Sequence, residues 1–197
     1  MSRKKLESYL KPVSKHQYLI IFLFAFHFIS GCDVGHCISA CPHGWEENGD
    51  SCFFWSSAEN SWDDAEAWCK RQDSHLASVP SPSIREYILN SMKRKNINKL
   101  WLGGNDKDYE GIWSWADCSF FGFTSWASGE PNNQGTEHCM EMVKDWTGAG
   151  RVRGEGMWND VDCTTHQLRY LCSKRRCSGG IYVTGQLWGS NGGHFVH

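Results

Sequence analysis

Five side chains in the second half of the chain carry oxygen atoms of the kind that can hold a hard cation. Glu130 and Asn132 flank Pro131, Glu137 follows, and Asn159 and Asp160 stand side by side after Trp158. Calcium takes 6–8 oxygen ligands, commonly carboxylates and amide carbonyls, and this set offers three of the first and two of the second. The donors form two clusters, one before Cys139 and one before Cys163. Pro131 suggests a fixed, cis peptide that aims Glu130 and Asn132 to the same side, because X-Pro bonds lose far less in the cis form than other peptides do. Each carboxylate accepts hydrogen bonds and each amide NH₂ donates them. Two adjacent hydroxyls of a ligand can therefore complete the shell of the ion while bonding Glu130, Asn132, Glu137 and Asn159. Acidic loops with Pro and Asn are often ordinary turns; a set of three carboxylates and two amides in two clusters favours the metal.

The elements that must position these residues follow from local signals. Cys41 and Cys52 flank a turn at Asn48-Gly49, a dipeptide suited to the positive φ of a tight hairpin. Ser61 can cap a helix that places Ala65, Trp68 and Cys69 on one face, with Asp64 three residues after the cap. A second helix starts around Pro82-Ser83, with Ser83 and Glu86 as a capping box, Ile84, Tyr87, Ile88 and Met92 facing inward, and a basic end at Lys93-Arg94-Lys95. Beyond Leu100, strand-like runs at 100–102, 112–115, 139–143 and 170–172 alternate with long loops rich in Gly, Asn, Asp and Pro. The Trp146–Met157 loop is long, and its Arg151 and Arg153 suit solvent or an extended ligand. Trp101, Trp113, Trp115 and Trp126 lie in strand-like runs and read as core rather than as a stacking platform, and Trp158 as the anchor of the loop bearing Asn159 and Asp160.

Length and composition set the frame. The 197 residues suit one domain with attachments. With 20 basic against 22 acidic side chains, nothing draws the chain electrostatically to nucleic acid. Ten cysteines, eleven tryptophans and twenty glycines describe a loop-rich protein crosslinked in an oxidising compartment. A basic start, an apolar run over 18–29 and Ser30-Gly31 read as a signal peptide over residues 1–31, with a retained anchor as the alternative. The Cys-rich segment 32–40 follows; the cysteines and histidines from Cys32 to His43 favour disulfides over zinc in a secreted chain. Residues 174–197 show no periodic pattern and read as a flexible tail.

In this order and spacing, the Cys41/Cys52 hairpin, Cys69, Trp101-Leu-Gly-Gly104, Glu130-Pro-Asn132, Glu137-His-Cys139, Trp158-Asn-Asp160, Cys163 and Cys172 resemble the C-type lectin domain, over about residues 41–173. Small, soluble, single-domain lectins such as those of fish are similar. The resemblance implies an α+β C-type lectin fold, disulfide-stapled, with two helices flanking small antiparallel sheets and a long calcium-binding loop region. It implies the disulfides Cys41–Cys52, Cys69–Cys172 and Cys139–Cys163, the last framing both donor clusters, and leaves Cys32, Cys37, Cys118 and Cys177 open between internal and interchain pairing. It implies Ca²⁺ as cofactor at Glu130, Asn132, Glu137, Asn159 and Asp160. Glu-Pro-Asn in that family goes with mannose, glucose, N-acetylglucosamine and fucose. The partners implied are glycans with mannose-type vicinal hydroxyls, with soluble innate recognition as the setting, secretion rather than membrane insertion, and a homo-oligomer for avidity. An auxiliary metal site would fall on Asp106, Glu110, Asn133, Glu137 and His138, weakened because Asn133 and His138 stand where acidic ligands are usual.

Catalysis is not expected: the chain has no G-x-S-x-G elbow, HExxH pair or P-loop, and its carboxylates serve better as ligands. The competing reading is an ice-binding or protein-binding member of the same fold.

Overall fold

A computed structural model of the chain describes residues 37–147, 154–177, 182–183 and 186–187. The signal segment 1–31 lies outside the described residues, as do Cys32, Arg151 and Arg153.

The chain begins with a hairpin of β1 (Glu46–Asn48) and β2 (Ser51–Trp55). Its two turn residues are Gly49 and Asp50, one step later than expected, because Asn48 pairs with Ser51 as the last rung. Gly49 takes φ 58° at the first turn position, where a type II′ turn needs glycine. Helix α1 (Trp62–Arg71) starts as its sequence requires, with Ser61 accepting the N–H of Asp64 at 3.2 Å. Ala65 and Cys69 are fully buried.

Helix α2 (Pro82–Lys95) corrects one expectation. Its cap is Ser81, which accepts the N–H of Ile84, and not Ser83. Proline lacks an N–H and is preset for the first helical position, so the residue before it becomes the cap. The helix closes at Asn96 in the left-handed conformation, and Ile88, Leu89 and Met92 enter the core.

Strands β3 (His75–Leu76), β4 (Lys99–Asn105), β5 (Ser114–Trp115), β6 (Cys139–Trp146), β7 (Gly154–Val161) and β8 (Arg169–Arg175) complete the main sheet. Its order is β1-β2-β8-β4-β6-β7, with β3 on β8 and β5 on β4. All pairs are antiparallel except β4 with β8. A side chain at Gly103 would collide with the Leu76 carbonyl, so glycine is what allows β4 to pass so close to β3. A two-residue pairing of β9 (Tyr182–Val183) with β10 (Gln186–Leu187) follows.

Two core clusters flank the sheet. One gathers Ile88, Met92, Leu100, Leu102, Trp115, Met140 and Trp158, with Trp113 and Trp126 packed on it. The other holds Trp62, Trp101, Tyr170 and the cysteines at 69, 139, 163 and 172. The tryptophans of the strand-like runs are thus packing residues.

Disulfides join Cys41–Cys52, Cys69–Cys172, Cys139–Cys163 and Cys37–Cys177. Cys118 is also disulfide-bonded. The Cys37–Cys177 bond lies within one chain, which removes both cysteines from crosslinks between chains. Two boundaries change. Lys174 and Arg175, placed in a flexible tail by the sequence, pair with Cys52 and Ser51, and the chain stays tied to Cys177. Within the loop expected over Trp146–Met157, Trp146 and residues 154–157 belong instead to the paired strands β6 and β7, and residues 148–153 lie outside the described residues.

Candidate functional site

The site is built where the long loop after β5 runs back against β7. Trp158 is fully buried and meets Trp115, Phe123 and Trp126 edge-on, with centroids 5.6, 5.6 and 5.8 Å away. Edge-to-face packing of this kind suits the ring quadrupole and fixes the indole firmly. The backbone adds two ties: Trp158 donates to the Ser125 carbonyl and accepts from Ala127 N–H, each at 2.8 Å. The loop is thereby strapped beside β7, and Glu130 and Asn132 arrive next to Asp160. The Glu130–Pro131 peptide is cis, as the sequence reading anticipated.

Asp160 is 1% exposed, and its carboxylate is the hub. Its oxygens accept the backbone N–H of Asn132 at 3.0 and 3.1 Å and of Asn133 at 2.7 Å. The Asn132 amide donates to Glu130, and the Gln134 N–H is shared between Asn132 Oδ1 at 3.0 Å and Glu137 Oε2 at 2.9 Å. Glu130, Asn132, Glu137 and Asp160 thus converge through one connected set of bonds.

The electrostatics of this set call for a cation. Burial raises the Glu130 carboxyl above its ordinary value, and the hydrogen bond and charge of Asp160, with the charge of Glu137, push it further. Three carboxylates held together in this way fit a divalent ion with oxygen coordination.

Asn159 is placed differently. Adjacent strand residues face opposite ways, and the Asn159 Nδ2 donates at 3.1 Å to Glu141, its cross-strand neighbour on β6. One N–H of its NH₂ group is engaged there, which leaves its second N–H and its carbonyl oxygen to be offered to a ligand and an ion.

Glu141 escaped the sequence reading. It is fully buried, its Oε1 also accepts Lys99 Nζ at 2.8 Å, and its Oε2 has no hydrogen-bond partner among the described residues. The signal was present: a carboxylate inside the otherwise apolar run Met140-Glu-Met-Val143.

Two further ties shape the rim. Cys139–Cys163, with Cα atoms 5.2 Å apart, joins the strand ends that follow the two donor clusters. Thr136 donates to Asp162 at 2.8 Å across the same gap. The Thr164 hydroxyl, with the Thr165 N–H, Thr136 and the Thr164 N–H, holds the exposed Asp162 carboxyl well below the usual range.

Three residues of the expected auxiliary set stand together. Asp106, Glu110 and His138 form one cluster, with ligand atoms within 4.8 Å of one another. The Asn133 backbone N–H donates to Asp160, and the Glu137 carboxylate accepts the Gln134 N–H.

Comparisons agree with this architecture. A family model described as the lectin C-type domain matches residues 58–174. The galactose-specific lectin nattectin of Thalassophryne nattereri is 33% identical over 140 residues, covering 69% of this chain and 81% of that protein. The cow CD23 carbohydrate-recognition domain, solved with a GlcNAc2Man3 oligosaccharide, superposes with TM-score 0.60 at 27% identity, covering 71% of this chain and 98% of that one. The herring type II antifreeze protein superposes with TM-score 0.59 at 27% identity, covering 68% and 98%. No helix among the described residues is long and apolar enough to cross a membrane. With the sheet order, the strapped loop and the matched residues in agreement, the chain belongs to the C-type lectin family, a family of carbohydrate-recognising proteins that are not enzymes.

Proposed function

We propose that this chain is a secreted, calcium-dependent lectin selective for mannose, glucose, N-acetylglucosamine and fucose, acting in soluble innate recognition of glycans. The observation that carries the reading is the convergence of Glu130, Asn132 and Glu137 on the buried Asp160, with Glu130 raised by burial and by its contact with Asp160. Glu130, Asn132, Glu137, Asn159 and Asp160 would hold the ion. When bound, calcium supplies coordination positions for two adjacent sugar hydroxyls. Around them, Glu130 and Glu137 accept hydrogen bonds while Asn132 and Asn159 donate, so a vicinal diol of matching geometry is held at both oxygens. Residues 1–31 would serve as the signal peptide and 41–173, extended to Cys177 by the disulfide, as the module.

Nattectin is named galactose-specific and CD23 was solved with a mannose-containing oligosaccharide, so kinship alone does not choose a sugar. The choice rests on Glu130 and Asn132. A site contacting two hydroxyls buries little surface and binds one monosaccharide weakly, so function on a glycan-coated target calls for several linked sites. Such a homo-oligomer would have to form without Cys37 and Cys177.

The test is retention on immobilised mannan in calcium, with elution by a chelator. Retention that survives complete calcium removal would sink the mechanism, and absence of any calcium-dependent retention would favour the ice- or protein-binding reading, which the likeness to the herring antifreeze protein supports. The double substitution Glu130→Gln with Asn132→Asp exchanges donor and acceptor sides. Competition assays should then move preference from mannose toward galactose by about tenfold or more, a difference of ~1.4 kcal/mol. An unchanged mannose preference would assign selectivity to other loops.

A further inference from the structure

The cluster at the junction of β4 and β6 differs in kind from the main site, because one of its three side chains offers nitrogen. His138 Nδ1 lies 3.0 Å from Asp106 Oδ1 and 3.3 Å from Glu110 Oε2. The Asp106 side chain is 2% exposed, and its other oxygen accepts the Gly111 N–H at 2.8 Å, so Oδ1 is aimed into the cluster. The backbone fixes the remaining partner, since Asp106 N–H donates to the His138 carbonyl at 3.2 Å. Glu110 and His138, with side chains 54% and 33% exposed, leave one side open to solvent.

We propose that Asp106, Glu110 and His138 form a zinc site, separate from the calcium site and distinct from it in metal preference. Calcium takes oxygen ligands, whereas imidazole suits zinc and neighbouring transition metals. Zinc holds His nitrogen and carboxylate oxygen at roughly 2.0–2.2 Å in a tetrahedron, whose ligand-to-ligand edge is about 3.3 Å. The separations of 3.0 and 3.3 Å already approach that edge. Two carboxylates balance the charge of the ion, and the open side leaves the fourth position to water. Metal at Nδ1 requires the tautomer protonated at Nε2, so the proton on Nδ1 leaves when zinc enters. Without the metal, the same atoms make the hydrogen bonds described above. The site shares no residue with Glu130, Asn132, Glu137, Asn159 and Asp160.

The experiment is equilibrium dialysis of the purified chain against zinc in saturating calcium, for the parent, His138→Gln and Asp106→Asn. The chain has nine histidines, so the readout is the difference between parent and variants. The parent should bind one more zinc ion than either variant, and the variants' affinity at this site should fall by more than about 100-fold. Cobalt in place of zinc should give tetrahedral visible absorption that His138→Gln removes, and His138→Gln, at a partly exposed position, tests the site even where Asp106→Asn does not fold. Equal zinc binding by parent and His138→Gln, or complete displacement of the ion by calcium, would overturn the assignment. Mannan retention is scored separately: its loss in the parent would refute the sugar site and leave the zinc difference readable.

Discussion

Replacing Asp160 by asparagine is expected to end retention on mannan and to weaken calcium binding by about 100-fold. Two losses combine. The ion gives up one of three carboxylate ligands, and ligand charge is a principal determinant of calcium affinity. The loop also loses its hub, because the Asp160 oxygens accept the N–H groups of Asn132 and Asn133. Hydrogen bonds to a charged acceptor contribute about 1.5–3 kcal/mol, and an asparagine NH₂ would face donors instead of accepting them. One effect opposes these: the charge that raises Glu130 is removed. That relief stabilises the metal-free loop and not the calcium-loaded one. Isothermal titration with calcium, alongside the mannan column, measures both. Full calcium-dependent retention by Asp160→Asn would show that Asp160 is not a ligand.

The second large effect concerns stability rather than binding. Lys99→Met should destabilise the domain by about 3 kcal/mol, because it removes the cationic partner of a fully buried carboxylate. Such losses run to 3–5 kcal/mol for buried pairs; the Lys99 side chain is 45% exposed, so water can enter where it stood and the lower end applies. For a domain of this size the melting midpoint falls by about 6–12 °C. Only Asn159 would still donate to Glu141, whose Oε2 already lacks a hydrogen-bond partner among the described residues. Adding Glu141→Gln to Lys99→Met should restore most of the loss, since no charge then remains buried. Calorimetry of the parent and the two variants decides it, and an unaltered midpoint for Lys99→Met would mean that the carboxylate is stabilised without the lysine.

The contrast between Glu141 and the cap of α1 shows how far the chain could be read before folding. Ser61, Asp64 and the face bearing Ala65 and Cys69 lie within nine residues, so their roles are local and visible. Glu141 and Lys99 are 42 positions apart, and no local pattern pairs them. β7 was missed for a related reason. Its Gly154, Gly156, Asn159 and Asp160 argue against a strand by propensity, yet pairing with β6 along seven registered positions overrides them.

The donor chemistry was legible before folding: three carboxylates and two amides, the turn-forming Glu130-Pro131-Asn132 and the disulfide-ready cysteines, because these depend on residue type and short spacing. The division of labour among them arose only with the fold. Asp160 became the anchor of a loop 27 and 28 positions away, and Asn159, its neighbour, turned to Glu141 on the adjacent strand. Asp106 and His138, 32 positions apart, met as the ends of β4 and β6 came together. Strand register sets which neighbours a side chain meets, and register is fixed by the pairing and core packing of distant segments rather than by the residues beside it.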